Sequence, residues 1–486
     1  MTAEHELPDA SGDRLVHSAT ALLISNATGA ALGVAFWAVA ARLYKPEDVG
    51  DGVAAISAMV LLASLAQLNL SIIFPRYLHA AGAKAPRMLA FGYAASSVAA
   101  IAASLIFINF TGYHEFLSHG RWQTVAFVAA VVLWVIFSIE DAALVGLRAT
   151  FWVPVENTSF SAAKIVLLPI FAALATSSGV FYSWVLPVIA CVVPINYYLF
   201  RRALPRHVRW AEGRASFPSR RIVSTVLLGE YAGSVAYIAL ATIPALLVAG
   251  QLGTTQAAYF QPPWLVGTSF DFLLFSIATS LVAESSARPG HAAEGVRRAV
   301  KMAVVLLLPG MVALVLLAPY LLGVLGADYA HAGTRLLQLL ALTLPFLAVN
   351  VLYVTLARLA RRVRRIVAVQ VVTAAIVLGV SAELLSTHGI TAVGIGFLVG
   401  QAAVAVVVLP SVVRQYRRAD MAPDFSEDAE LVAPSSAAAD AAVEGAPEPG
   451  PAEGEATSRP LALGRAPQRR EEPTGPTNET PEGGAR

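Results

Sequence analysis

The chain's 486 residues are 57% apolar and only 14% charged. Soluble domains carry about 25% charged residues, so a soluble globular protein is excluded: too few charges would cover too many apolar side chains. A single cysteine, Cys191, rules out an intramolecular disulfide, and the net charge of +2 hides a balance of +11 over residues 1–418 and −9 over residues 419–486.

The apolar residues fall in runs of roughly 18 to 25, each long enough to cross a bilayer core of about 30 Å as a helix. The runs are continuous rather than alternating, which points to helices and not to a barrel. In chain order they predict spans at about 18–41, 53–74, 88–110, 122–147, 158–175, 180–200, 223–249, 264–283, 302–325, 334–357, 366–385 and 391–413. The first run follows Glu4, Glu6, Asp9 and Asp13, whereas a cleaved signal peptide has a basic start. Pro262-Pro263 is expected to stand just ahead of the eighth span, since proline suits a first helical turn.

Basic residues orient the spans. With the N-terminus in the cytoplasm, 23 lysines and arginines fall in inner loops or at the inner C-terminal boundary: Arg76, Lys84, Arg87, Arg148, seven arginines from Arg201 to Arg221, four residues from Arg288 to Lys301, five arginines from Arg358 to Arg365, and Arg414, Arg417 and Arg418. Only Arg42, Lys45, Arg121 and Arg335 fall outside, as the positive-inside rule requires. Both termini are then cytoplasmic. The expected organisation is a cytoplasmic segment (1–16), a six-helix N-lobe (17–200), a basic inter-lobe loop (201–222), a six-helix C-lobe (223–418) and a tail (419–486). The tail is rich in Pro, Ala and Glu, too polar to bury a core, and is expected to be disordered.

Residues 26–82 can be laid on 234–290 without a gap, at an offset of 208. Each half holds an even number of helices, so the halves share one orientation and relate by an axis along the membrane normal. Such parallel repeats are a transporter device, with a cavity between the halves that opens alternately to each side.

The stretch Ala40-Ala41-Arg42-Leu43-Tyr44-Lys45-Pro46-Glu47-Asp48-Val49-Gly50 is followed by a helix ending Leu68-Asn69-Leu70-Ser71 and then by Pro75-Arg76-Tyr77-Leu78. Together these resemble the N-terminal signature of polysaccharide flippases, a family of the multidrug/oligosaccharidyl-lipid/polysaccharide (MOP) exporter superfamily. Tyr44-Lys45 stands where the family has Leu-Gly, Val49 where it has Phe, and Asn69 near its glycine. The resemblance implies an all-α, two-lobed bundle of twelve transmembrane helices in the cell membrane. It further implies movement of a polyprenyl-diphosphate-linked oligosaccharide from the inner to the outer leaflet for surface polysaccharide synthesis. Its partners would be membrane lipids, the lipid-linked glycan and other polysaccharide-assembly proteins. A cation-coupled small-molecule antiporter of the same superfamily and a non-transporting scaffold are the alternatives. No cofactor, nucleic acid or enzymatic activity is expected, because no phosphate loop, metal-spaced His/Cys cluster or nucleophile–base set is present.

Ionisable residues inside spans are the informative ones, each costing about 2.5–3.5 kcal/mol at a helix centre. Glu140 and Asp141 lie in the fourth span, Lys164 in the fifth, Glu230 in the seventh, Asp271 in the eighth and Glu383 in the eleventh. Lys164, Asp271, Arg42 and Asn26 are the candidate substrate groups. Asn26 shares a helical stripe with Gly29, Gly33 and Trp37, read either as cavity lining or as close helix packing. Glu140, Asp141 and Glu230 are candidates for ion coupling or a structural ion pair. With an inner loop read at 148–157, Glu140 or Asp141 lies at the depth of Lys164, and a carboxylate–lysine pair is expected. The nine histidines lie at span ends or in loops and are expected to be solvated or interfacial.

Overall fold

The structure, a computed structural model, describes residues 29, 31–110, 121–211, 220–287, 292–360 and 362–417. The N-terminal segment with Asn26, residues 212–219 of the inter-lobe loop and the tail lie outside the described residues.

Helix α1 occupies Ala31–Leu43. After it come α2 (Pro46–Ala66), α3 (Leu70–Tyr77), α4 (Ala85–Phe110), α5 (Arg121–Gly146), α6 (Trp152–Ala173), α7 (Gly179–Tyr198) and α8 (Leu204–Trp210). The second half holds α9 (Arg220–Leu252), α10 (Thr254–Ala287), α11 (Ala292–Gly323), α12 (Ala327–Leu359), α13 (Val363–His388) and α14 (Thr391–Arg417). Apart from the short α3 and α8, these are twelve helices in the predicted order, α1 being described over thirteen residues only. Among the described residues nine helices are long and apolar enough to cross a membrane. The protein is a multi-pass membrane protein, all-α among the described residues, with six main helices in each lobe.

Local chemistry sets the boundaries. Proline at the first position of α2 needs no amide partner, and Glu47 and Asp48 sit in its first turn, where the helix dipole favours acids. The break between α2 and α3 passes through Leu68 and Asn69, both left-handed with φ of 53° and 57°. Asparagine tolerates that region better than most residues. The repeat is visible at the same place in each half: α1 ends at Leu43 and α2 starts at Pro46, while α9 ends at Leu252, within one residue of the offset of 208, and α10 starts at Thr254, on it.

Two expected boundaries are corrected. Pro262 and Pro263 do not precede the eighth span; they lie inside α10, two turns past Thr254. Proline is tolerated within membrane helices when neighbouring packing compensates for the lost amides. Here Pro263 packs on Gly333 of α12, where an added Cβ would come within 3.0 Å of its Cγ. The fifth span begins at Trp152, not near 158. Pro154 falls in the first turn of α6, where its missing N–H leaves no helical bond unmade.

The lobes meet along α2, which packs on α9 and α10. At the end of the bundle poor in basic residues the core is continuous between them: Phe36, Val49 and Val53 join Leu246, Ala249, Ala258, Phe260 and Trp264. The Arg42 guanidinium donates to the Val324 carbonyl just past α11, at 2.9 Å. Toward the arginine-rich end the C-lobe packs around its own cluster of Ile277, Leu281, Val296 and Ala299. Contact along α2 continues even there, where the Tyr231 hydroxyl donates to the Leu65 carbonyl at 2.9 Å.

Candidate functional site: a caged lysine and a carboxyl cluster in the N-lobe

Helices α5, α6 and α7 enclose the polar interior of the N-lobe. On α6, Glu156, Phe160 and Lys164 follow at intervals of four and lie on one face. Lys164 is about 18 Å from the start of α6 at 1.5 Å per residue, close to mid-membrane. It is 4% exposed. Its ammonium nitrogen sits 3.8 Å from the centroid of Trp184, 4.8 Å from Phe160 and 5.3 Å from Phe36. Trp134 packs edge-on against Phe160 and tilts against Trp184, at 5.7 and 6.0 Å. Trp184, Phe160 and Phe36 present their negative faces to the cation, a contact worth about 2 kcal/mol when desolvated.

The expected carboxylate–lysine pair is therefore replaced. Among the described residues no carboxylate pairs with Lys164, and its cationic contacts are aromatic. The cause is the early start of α6. Glu140 lies six residues from the end of α5, about 9 Å, while Lys164 lies twelve residues into α6. The groups at Glu140's depth are Glu156 and Asn157, four and five residues into α6.

Glu140 is wholly buried and Glu156 is 3% exposed. Glu156 is near enough to act electrostatically on Glu140. The Asn196 amide of α7 donates to Glu140 Oε2. The Asn157 amide donates to Asp141 Oδ2 at 3.0 Å and also to the Val153 carbonyl. Phe137 and Phe160, with centroids 5.3 Å apart, separate this cluster from the lysine cage. The N-lobe thus holds a cation on aromatic faces and, one aromatic layer away, three carboxyls among amides. Glu156 is absent from the sequence candidates because the apolar pattern assigns it to a loop. The i, i+4, i+8 spacing of Glu156, Phe160 and Lys164 is the signal that would have found it.

The remaining candidates lie elsewhere. Arg42 is at the inter-lobe rim, exposed and bonded to Val324. Asp271 lies half-buried in α10, with Tyr237 of α9 within electrostatic reach. Glu230 falls within α9, with its side chain outside the described ones. Glu383 is exposed on α13. Polar pairing in the C-lobe is carried instead by Asn350, whose amide donates to the Gln401 side-chain oxygen at 2.7 Å and to its backbone carbonyl at 3.0 Å. An apolar cavity of about 200 Å³ lies between α10, α11 and α12, lined by Leu274, Leu281, Ala299, Ala303 and Leu352.

Two of the histidines, expected to be solvated or interfacial, pack against one another. His79, in the turn after α3, and His207, on α8, hold their rings 4.9 Å apart, and Trp210 packs on both, at 5.0 and 6.2 Å. Neither ring nitrogen of His79 has a partner in this packing. Burial, followed by the nearby Arg148 guanidinium and His207, lowers the His79 pKa from 6.5 to about 4. The folded protein keeps the ring neutral while the unfolded chain protonates it near 6.5. The contribution is absent above that pH, and stability falls as pH drops from about 6.5 toward 4. His79→Phe is expected to flatten this part of the thermal-stability profile in detergent, and an unchanged pH slope would contradict the assignment.

No protein-family model matches the sequence, and neither does any curated protein. Solved structures do match. A multidrug-resistance MATE transporter of the MOP superfamily, in its inward-facing conformation, is 16% identical with a TM-score of 0.57, over 81% of this chain and 95% of that one. MATE in complex with MaL6 is 15% identical with a TM-score of 0.59, over 82% and 95%. A MOP superfamily transporter from Pyrococcus furiosus is 16% identical with a TM-score of 0.55, over 82% and 95%; its binding pocket is described as having reverse polarity, suggesting a different function. The likeness covers both lobes. This chain has the MOP superfamily transporter fold.

Proposed function

We propose that the protein is an alternating-access transporter that moves a polyprenyl-diphosphate-linked glycan from the inner to the outer leaflet. The observation that carries the reading is Lys164: a cation near mid-membrane, 4% exposed, resting on aromatic faces with no carboxylate among the described residues pairing it. An anionic lipid headgroup supplies the missing countercharge, while a small organic cation would meet repulsion there. Trp134 and Trp184 add flat apolar faces of the kind that stack on sugar rings. The continuous inter-lobe core at the end poor in basic residues fits a bundle closed on the outer side. The 23-to-4 distribution of basic residues supports cytoplasmic termini in a plasma membrane. Reversed pocket polarity in the Pyrococcus transporter fits a superfamily whose pockets differ in charge.

The second reading is efflux of small cations. It draws on the carboxyls of Glu140, Asp141 and Glu156, the feature an anion transporter least needs. Purified protein in vesicles is expected to carry a polyprenyl-diphosphate glycan across the bilayer, read by protection of the glycan from an external glycosidase. Failure with every such lipid, together with efflux of organic cations, would replace the first reading with the second.

A further inference from the structure

Among the described residues α11 is the most apolar of the nine helices able to cross a membrane, and the least buried, so most of its surface meets lipid. The apolar cavity of about 200 Å³ lies behind it, against α10 and α12. Small side chains leave this space open: Ala278 of α10, Ala299 and Ala303 of α11 and Ala348 of α12 all line it. Away from the arginine-rich end it is closed, because α11 presses on α10 at Gly310, where an added Cβ would strike the Phe270 ring. Sideways it is open, since Val304 and Leu308 also line it and both are more than half exposed. Water does not suit the space. Thr355 is the one polar side chain among the lining residues, and its hydroxyl already donates to the Val351 carbonyl at 2.7 Å. A buried water needs about two to four polar partners. An unfilled void would forfeit dispersion contacts on every wall. The occupant that fits is hydrocarbon.

Charge narrows the kind of hydrocarbon. Arg297, Lys301, Val304 and Leu308 follow at intervals of four, three and four residues and form one stripe along α11. The first two are exposed and basic, at the arginine-rich end; the last two line the opening of the cavity. The cavity runs along α11 from Ala299 to Leu308, about 14 Å at 1.5 Å per residue. That is about half of a hydrocarbon core of about 30 Å, the depth of one leaflet. A cation at the surface above an apolar slot one leaflet deep matches a diacyl lipid with a negative headgroup. A polyprenyl chain is too long for a slot that Gly310 and Phe270 close at its far end. We infer that α10, α11 and α12 form a binding site for an anionic glycerophospholipid, with one acyl chain in the cavity and the headgroup phosphate on Lys301. The chain supplies the bulk that the four alanines lack and joins α11 to the rest of the C-lobe.

The inference does not depend on what is transported, and its test reads bound lipid rather than transport. Full-length protein in mild detergent is titrated with phosphatidylglycerol and with phosphatidylcholine of the same chains, and retained lipid is counted by native mass spectrometry. One phosphatidylglycerol is expected to stay bound, preferred by about fivefold for its contact with Lys301. Lys301→Gln should remove that preference and Lys301→Arg should keep it. Arg414→Gln, which removes an exposed basic residue near the end of α14, should leave it unchanged. Ala303→Phe fills the cavity and should release both lipids. In case that variant misfolds, the parent protein is also crosslinked to a phosphatidylglycerol carrying a diazirine midway along one acyl chain. Crosslinks should gather on residues 299–308 and 345–355. Crosslinks spread evenly over the lipid-facing helices, or a preference unchanged in Lys301→Gln, would overturn the site. So would displacement of the phospholipid by an equimolar polyprenyl phosphate, since the cavity would then belong to a transported lipid.

Discussion

Under the proposed function, Lys164→Met is expected to give a protein that folds and inserts normally, yet flips an anionic lipid about thirtyfold more slowly or worse. Methionine keeps the length of the side chain and is welcome against aromatic rings. A lone cation at this depth costs about 2.5–3.5 kcal/mol. Contact with the faces of Trp184, Phe160 and Phe36 returns about 2 kcal/mol. Removing the cost and the compensation together leaves a thermal transition shifted by only a few degrees. Transport suffers far more than folding. A buried charge pair broken at one partner loses about 2–5 kcal/mol, which at about 1.4 kcal/mol per decade is thirtyfold at its lower end. Lys164→Arg keeps the charge but not its compactness and should retain part of the activity. If Lys164→Met flips lipid at the parental rate, the caged lysine is not where the diphosphate sits. If it fails to fold, the cation is holding the three helices together instead.

The contrast between Lys164 and Glu156 shows what a sequence exposes and what it conceals. Composition and run length suffice for twelve helices, because water and bilayer sort side chains by polarity without regard to partners. The repeat is also legible, since helix ends recur at the offset of 208 even where side chains do not match. Lys164 stands out for the same reason: a charge in an apolar run is conspicuous. Its partners are not legible, because depth in a helical hairpin depends on where each helix starts. Pro154 disguises that start, and a shift of six residues moves a side chain by about 9 Å. Thus the acid expected beside Lys164 lies at the depth of Glu156, a residue that hydropathy alone assigns to a loop. His79 and His207 escape detection differently. They are 128 residues apart and meet only because α8 folds back on the turn after α3. Nothing local in either segment encodes that approach.

Gly50→Ala is expected to hold the lobes apart at the end poor in basic residues and to slow transport by about tenfold or more. Gly50 is the fifth residue of α2, and a Cβ there would strike the carbonyl group of Thr254, the first residue of α10, and come within 3.0 Å of its Cα. The obstacle is backbone, so no rotamer change can relieve it; one of the two helices must move. Under the offset of 208, Thr254 corresponds to Pro46 and Gly50 to Ala258, so this contact lies on the seam between the repeats. Nearby, Gly33 of α1 faces Leu265 of α10 with room to spare, its added Cβ 3.7 Å away, so Gly33→Ala serves as a control. Overpacking costs about 1–3 kcal/mol. Because the strain arises between lobes and not within one, separating them relieves it without unfolding either. A transporter that must close this end on each cycle then spends less time closed, by about tenfold for each 1.4 kcal/mol. Spin labels at Glu47→Cys and Gln251→Cys, in a Cys191→Ala background, read the separation, since both positions are exposed at this end. Gly50→Ala should lengthen the distance distribution while the thermal transition stays near that of the parent. A distribution identical to the parent's would mean that the α2–α10 contact yields locally and does not set how closely the lobes approach.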